Sequence, residues 1–235
     1  WQSPVYDEDN TYSVPISWGT TGLLYNTELV SAPPEDWIFL WDDMDSLSRR
    51  LTMLDDVRET MGATLRSLGY SYNSTDPAEI EQAYQRLQEL KPAIAGFQSF
   101  GWEDQLIGGD LIVAMSYSVD AIGASLEDPV LDYVIPTSGS SVWTDTMVIP
   151  RSAPNPEAAY AWINFLLRPE ISAEAVERLT FATPIVPAFD LLSEELQSNT
   201  KLFPPPEILA QCEGIAPVGD ATDLYDQYWT ELTSS

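Results

Sequence analysis

Apolar positions recur along the chain with two different periods. Ile80, Ala83, Tyr84, Leu87 and Leu90 fall at helical spacing behind Asp76-Pro77-Ala78-Glu79, where Asp76 suits an N-cap, Pro77 the first helical position and Glu79 the first turn. That helix should stop before Pro92. Asn155-Pro156-Glu157 opens a second, with Ala158, Ala159, Trp162, Ile163 and Leu166 inside it, ending near Arg168-Pro169. A third starts at Pro169-Glu170 and carries Ala173, Val176 and Leu179. A last, from about Gly219 to Leu232, lines up Ala221, Leu224, Tyr225, Tyr228 and Leu232. Between these lie short apolar runs of strand length: Leu51 to Leu54, Ala93 to Phe97, Leu111 to Met115, Tyr133 to Ile135 and Met147 to Ile149. Most are continuous and not alternating, as expected of strands covered on both faces. Strands alternating with helices predict an α/β architecture with largely parallel sheets.

Composition narrows the function. Thirty-seven acidic residues face ten basic ones, for a net charge of −27. Such a field repels phosphate backbones and anionic surfaces, which argues against nucleic acid as a partner, and it attracts cations. A surface adapted to salt would show the same excess. No apolar run reaches the roughly eighteen residues of a membrane span, so the chain is not expected to span a membrane. There is no histidine, which removes the commonest general base and most zinc sites. The single Cys212 reads as a small buried hydrophobe.

Three groups of residues could carry chemistry. Asp56 and Glu59 follow the strand Leu51 to Leu54, on the first turn of the helix that begins there, where carboxylates of an open α/β sheet point into a ligand crevice. The same acids equally suit a plain helix cap. Trp143 and Asp145 lie two apart on a strand and so share a face, offering an indole π-face and a carboxylate to an alkyl-ammonium group. Trp18, Tyr117 and Phe181 are aromatic residues near the expected crossovers, where each also suits a core. Enzyme readings find less. Asp56 and Glu59 would stand side by side, not opposed as in a glycosidase. Gly108-Gly109 and Ser138-Gly139-Ser140-Ser141 match no phosphate-binding loop, and no calcium-loop pattern occurs. No catalytic residue, metal site or cofactor is expected.

Taken in order, several stretches resemble the spermidine/putrescine-binding proteins of bacterial ABC importers. They are Tyr12 to Asn26 with Pro15, Trp18, Gly19 and Gly22; Leu54-Asp-Asp-Val-Arg-Glu59; Leu68 to Pro77; Val142-Trp-Thr-Asp-Thr-Met-Val-Ile-Pro150; Ile163 to Pro169; Ala182-Thr-Pro184; and Tyr225-Asp-Gln-Tyr-Trp229. The resemblance implies a two-lobed periplasmic binding protein of type II, serving ABC-transporter permease subunits and not acting as an enzyme. It further implies that Asp56, Glu59 and Asp145 pair with ligand ammonium groups while Trp143 packs on the alkyl chain. Tyr117 stands where the family usually has Trp, Phe181 where it has Tyr, and Ile215 near a usual Gln, so a hydroxyl and an amide are lost. By the same analogy, residues 1–18 and 141–184 form lobe 1 without its N-terminal part, and 19–140 and 185–235 form lobe 2. A different cationic ligand, or a truncated receptor that docks a partner protein, are the alternatives this pattern leaves open.

Overall fold

The computed structural model describes residues 6–7 and 9–234. Among the described residues seven strands are formed: β1 (Val14–Asn26), β2 (Leu51–Met53), β3 (Ile94–Phe97), β4 (Val113–Tyr117), β5 (Leu131–Val134), β6 (Ser141–Met147) and β7 (Glu213–Gly214). The six longer helices are α1 (Val57–Ser67), α2 (Pro77–Leu90), α3 (Ser118–Glu127), α4 (Pro156–Leu166), α5 (Pro169–Leu179) and α6 (Thr222–Thr233). The expected helix starts are built as capping chemistry dictates. Asp76 accepts from the backbone N–H of Ala78, Asn155 from that of Ala158, and Pro77, Pro156 and Pro169 occupy first-turn positions where no N–H is needed.

The chain divides into two compact units. Unit 1 gathers the described residues up to Gly19 with Trp143–Pro204, and unit 2 comprises Thr20–Val142 and Pro205–Ser235. The two crossing strands, β1 and β6, pass from one unit into the other. Residues 185–204, expected with lobe 2, group with unit 1. Phe189 and Phe203 pack edge to face there with centroids 4.9 Å apart, and the Ser193 N–H bonds the Glu177 carboxylate on α5 at 3.0 Å.

In unit 2 the strand order is β3-β2-β4-β1, with β5 pairing on β1. β2 lies parallel to β3 and β4, and β7 parallel to β6. β1 runs antiparallel to both β4 and β5, with Leu23 opposite Met115 and Leu24 opposite Tyr133. This thirteen-residue strand is absent from the apolar runs read in the sequence because polar residues interrupt it. Thr20 and Thr21 are nevertheless buried, and the Thr20 hydroxyl and backbone carbonyl are satisfied by the Tyr133 hydroxyl. The expected strand Met147 to Ile149 is corrected to Ser141–Met147: β6 starts where Ser141 and Val142 pair with Glu213 and Gly214, and Val148 is exposed. Cys212 is half-buried, and its thiol reaches the Ile208 carbonyl at 3.5 Å.

Two apolar layers cover the unit 2 sheet. On one side Trp37, Leu40, Leu47, Leu51, Met53 and Met115 are fully enclosed. On the other, Leu24 and Ala114 pack with Trp102, Leu106 and Leu131, while a separate cluster joins Met61 and Leu65 of α1 to Ile80, Ala83 and Leu87 of α2 and to Tyr225 and Leu232 of α6. The burial of β2 throughout and of β4 up to Ser116, with Thr52 and Ser116 included, explains why neither strand alternates apolar with charged residues.

Candidate functional site

Because β2 and β4 are adjacent and parallel, with Leu51 opposite Val113, their C-terminal ends open at the same edge of the unit 2 sheet. Asp56 follows β2 directly. Tyr117 closes β4 and serves as the N-cap residue of α3. Asp56 is the N-cap of α1, and its Oδ1 accepts from the N–H groups of Arg58 at 2.9 Å and Glu59 at 3.0 Å. Capping thus occupies one oxygen, while the second can still accept from another donor. Asp56→Ala is expected to lower stability by about 1 kcal/mol, whereas Asp56→Asn keeps the cap and removes only the charge. Urea unfolding of the two variants separates these roles.

Glu59 is buried, with only 2% of its surface exposed. The Tyr72 hydroxyl donates to its Oε2 at 2.7 Å, and the Ser141 hydroxyl lies 3.0 Å from Oε1 and 2.8 Å from Oε2. Room for the Tyr72 ring comes from Gly62, one turn along α1, where a Cβ would sit 2.1 Å from the ring. Glu213 fixes the backbone behind it, accepting from the Tyr72 N–H and the Arg66 guanidinium, each at 3.1 Å. Burial pushes the Glu59 carboxyl up to about 7; the Tyr72 and Ser141 hydroxyls pull it down and the Asp56 charge adds to the rise. Half-burial, then the charges of Glu59, Asp56 and Asp120, push the Tyr117 phenol above its ordinary range, so it remains a donor. Asp56, Glu59 and Tyr117 therefore form one electrostatic group.

Unit 1 holds the other four expected residues. The Ser17 hydroxyl on β1 donates to Asp145 Oδ2 at 2.7 Å, which sets the exposed carboxylate of β6 beside β1. Trp143 precedes it by two residues on the same strand and is half-buried. Trp18 and Ala182 exchange backbone hydrogen bonds at 3.0 Å, bringing the half-buried Phe181 to the same strand. Trp18 itself faces inward, 8% exposed. Its indole N–H bonds the Thr183 carbonyl at 3.2 Å and its ring meets Phe203 edge on. Ser17 and Trp18 alternate across the strand, so Trp18 packs away from the face that carries Asp145.

Sequence reasoning missed Tyr72, Ser141 and Asp120. A glycine in the interior of helix α1, where glycine costs about 1 kcal/mol relative to alanine, was the available signal of a close approach. Among the described residues no group of three acidic, histidine or cysteine side chains is arranged to hold a metal, and no helix is long and apolar enough to cross a membrane.

Residues 3–204 match the family described as Bacterial extracellular solute-binding protein. The spermidine/putrescine-binding periplasmic protein of Escherichia coli (strain K12) is 36% identical over 228 residues, 97% of this chain and 65% of that protein. The putrescine/cadaverine-binding protein of Pseudomonas aeruginosa is 30% identical over 239 residues, 97% of this chain and 68% of that protein. A crystal structure of the spermidine/putrescine ABC transporter substrate-binding protein from Streptococcus pneumoniae superposes with a TM-score of 0.88 at 32% identity, covering 99% of this chain and 71% of that one. The chain thus spans 65% of the length of the Escherichia coli relative. With a periplasmic binding-protein fold, spermidine/putrescine-binding homologues and a family match over most of its length, the chain belongs to the bacterial extracellular solute-binding protein family.

Proposed function

We propose that this chain is the substrate-binding component of an ABC importer, capturing putrescine or spermidine in the periplasm for delivery to the permease subunits and performing no catalysis. The observation that carries the reading is the grouping of Asp56, Glu59 and Tyr117 at the C-terminal ends of adjacent parallel strands, where open α/β sheets bind ligands. Asp145 and Trp143 give unit 1 its own carboxylate and ring. A charge-assisted hydrogen bond is worth about 1.5–3 kcal/mol, and an indole face about 0.5–2 kcal/mol more.

Calorimetric titration with putrescine, spermidine and a panel of neutral and anionic metabolites tests this. Saturable binding confined to the amines is expected, and Asp145→Asn should weaken it by about 1.5–3 kcal/mol, roughly ten- to a hundredfold. Absence of both heat and thermal shift at about 1 mM spermidine rules the reading out.

A further inference from the structure

The ionisable groups placed against Glu59 among the described residues are one acid and three phenols. Asp56 caps its own helix, Tyr72 comes from the loop after α1, Tyr117 from the end of β4 and Tyr133 from β5. The guanidinium of Arg58, the nearest cation in sequence, is turned elsewhere. It donates to the Ala216 carbonyl at 2.8 Å and to Asn73 Oδ1 at 2.9 Å, and lies 5.2 Å from the centre of the Tyr225 ring. No ion pair involves Glu59 among the described residues. An isolated buried carboxylate costs several kcal/mol, so a carboxyl enclosed only by hydroxyls takes up a proton. The surroundings suit both charge states. Hydroxyls of Ser141 and Tyr72 can donate to a carboxylate, and the buried Thr21 hydroxyl, which faces Glu59, can accept from the acid or donate to the anion.

We propose that Glu59 is a proton-exchanging cation ligand: it is a neutral acid in the unliganded protein and releases its proton to solvent when an ammonium group docks at the Asp56–Glu59 end of α1. This rests on the polyamine-receptor reading. In the step the carboxyl O–H bond breaks and the proton passes to water. The electron pair left on oxygen accepts an N–H from the ligand, and the incoming positive charge replaces the one that leaves. Capture is therefore weaker in acid, by up to about tenfold per pH unit below 7. Above that value the affinity is independent of pH, and a ligand without a positive charge expels no proton.

The test is calorimetric titration of putrescine at about pH 6 and about pH 8, each in two buffers of different protonation enthalpy. Close to one proton released per ligand is expected at the lower pH and nearly none at the higher. Glu59→Gln, which keeps the size and one acceptor oxygen but cannot ionise, should abolish the release and flatten the pH dependence. Asp145→Asn should bind more weakly yet release the same proton. Binding at about pH 6 with equal heats in both buffers overturns the inference and leaves the receptor reading standing. Release that persists in Glu59→Gln also overturns it, by assigning the proton to another acid such as Asp120. Failure to bind putrescine at either pH removes both.

Discussion

Trp37→Ala lowers the stability of unit 2 by about 3–5 kcal/mol, the range for deleting a large buried aromatic side chain. Trp37 is fully enclosed among Leu23, Leu40, Leu51 and Met53, so the truncated site cannot fill with solvent without wetting apolar walls. Its indole N–H also donates to the Gly139 carbonyl at 2.9 Å, and that acceptor would be left buried and unsatisfied. The neighbouring Asp36 ties the same loop through the Ser138 N–H and hydroxyl, both at 2.7 Å. The loop leads into β6, so its loosening reaches Ser141 and the Glu59 network. A fall in melting temperature on the order of 10 °C is expected by calorimetry or circular dichroism. Trp162 supplies the control. It is 57% exposed on α4, and Trp162→Ala should stay within about 0.5 kcal/mol of the parent. Equal losses in the two variants would show that burial does not govern the effect.

Glu59→Gln changes how stability depends on pH, and by nearly as much. The carboxyl titrates near 4.5 when unfolded and near 7 in the folded chain. Between those values the folded protein holds a proton that the unfolded chain has released, so unfolding releases a proton and stability falls as pH rises. The stabilisation is fully present below about pH 4.5 and is lost as pH passes through about 7, a total of about 3 kcal/mol. Glutamine has no proton to lose. Relative to the parent, Glu59→Gln should therefore gain about 3 kcal/mol between pH 4.5 and above 7, read as the difference between the two urea-unfolding series. Taking the difference removes the common effect of the other acidic side chains, whose repulsion also grows with pH in a chain of net charge −27. A difference that stays constant with pH would place the titration elsewhere.

The helices were legible because their signals are local. A side chain that caps Ala78 or Ala158, a proline in the first turn and an apolar stripe act within a few residues, whatever the remainder of the chain does. The strands β2, β3, β4 and β5 were legible for the same reason, as apolar runs too short for helices. β1 was not. Polar residues break its apolar pattern, and Thr20 is buried there because Tyr133 and Ser118 supply its hydrogen bonds from more than ninety residues away. Asp56 followed from the sequence as a residue after a strand and Tyr117 as one near a crossover, but their sharing of one sheet edge depends on β2 pairing with β4.

The sequence by itself determined the α/β class, the acidic field that favours a cationic ligand and the segments that carry the candidate acids and rings. These depend on composition and short-range periodicity. Only the tertiary structure decided what environment each side chain meets. It turned Trp18 into a core residue, spent one oxygen of Asp56 on a helix cap and enclosed Glu59 among the hydroxyls of Tyr72, Ser141 and Thr21. The physical reason is that a carboxyl's charge is set by its solvation and its neighbours, and those neighbours come from α1, β1, β6 and the loop after α1, elements that meet only in the folded chain.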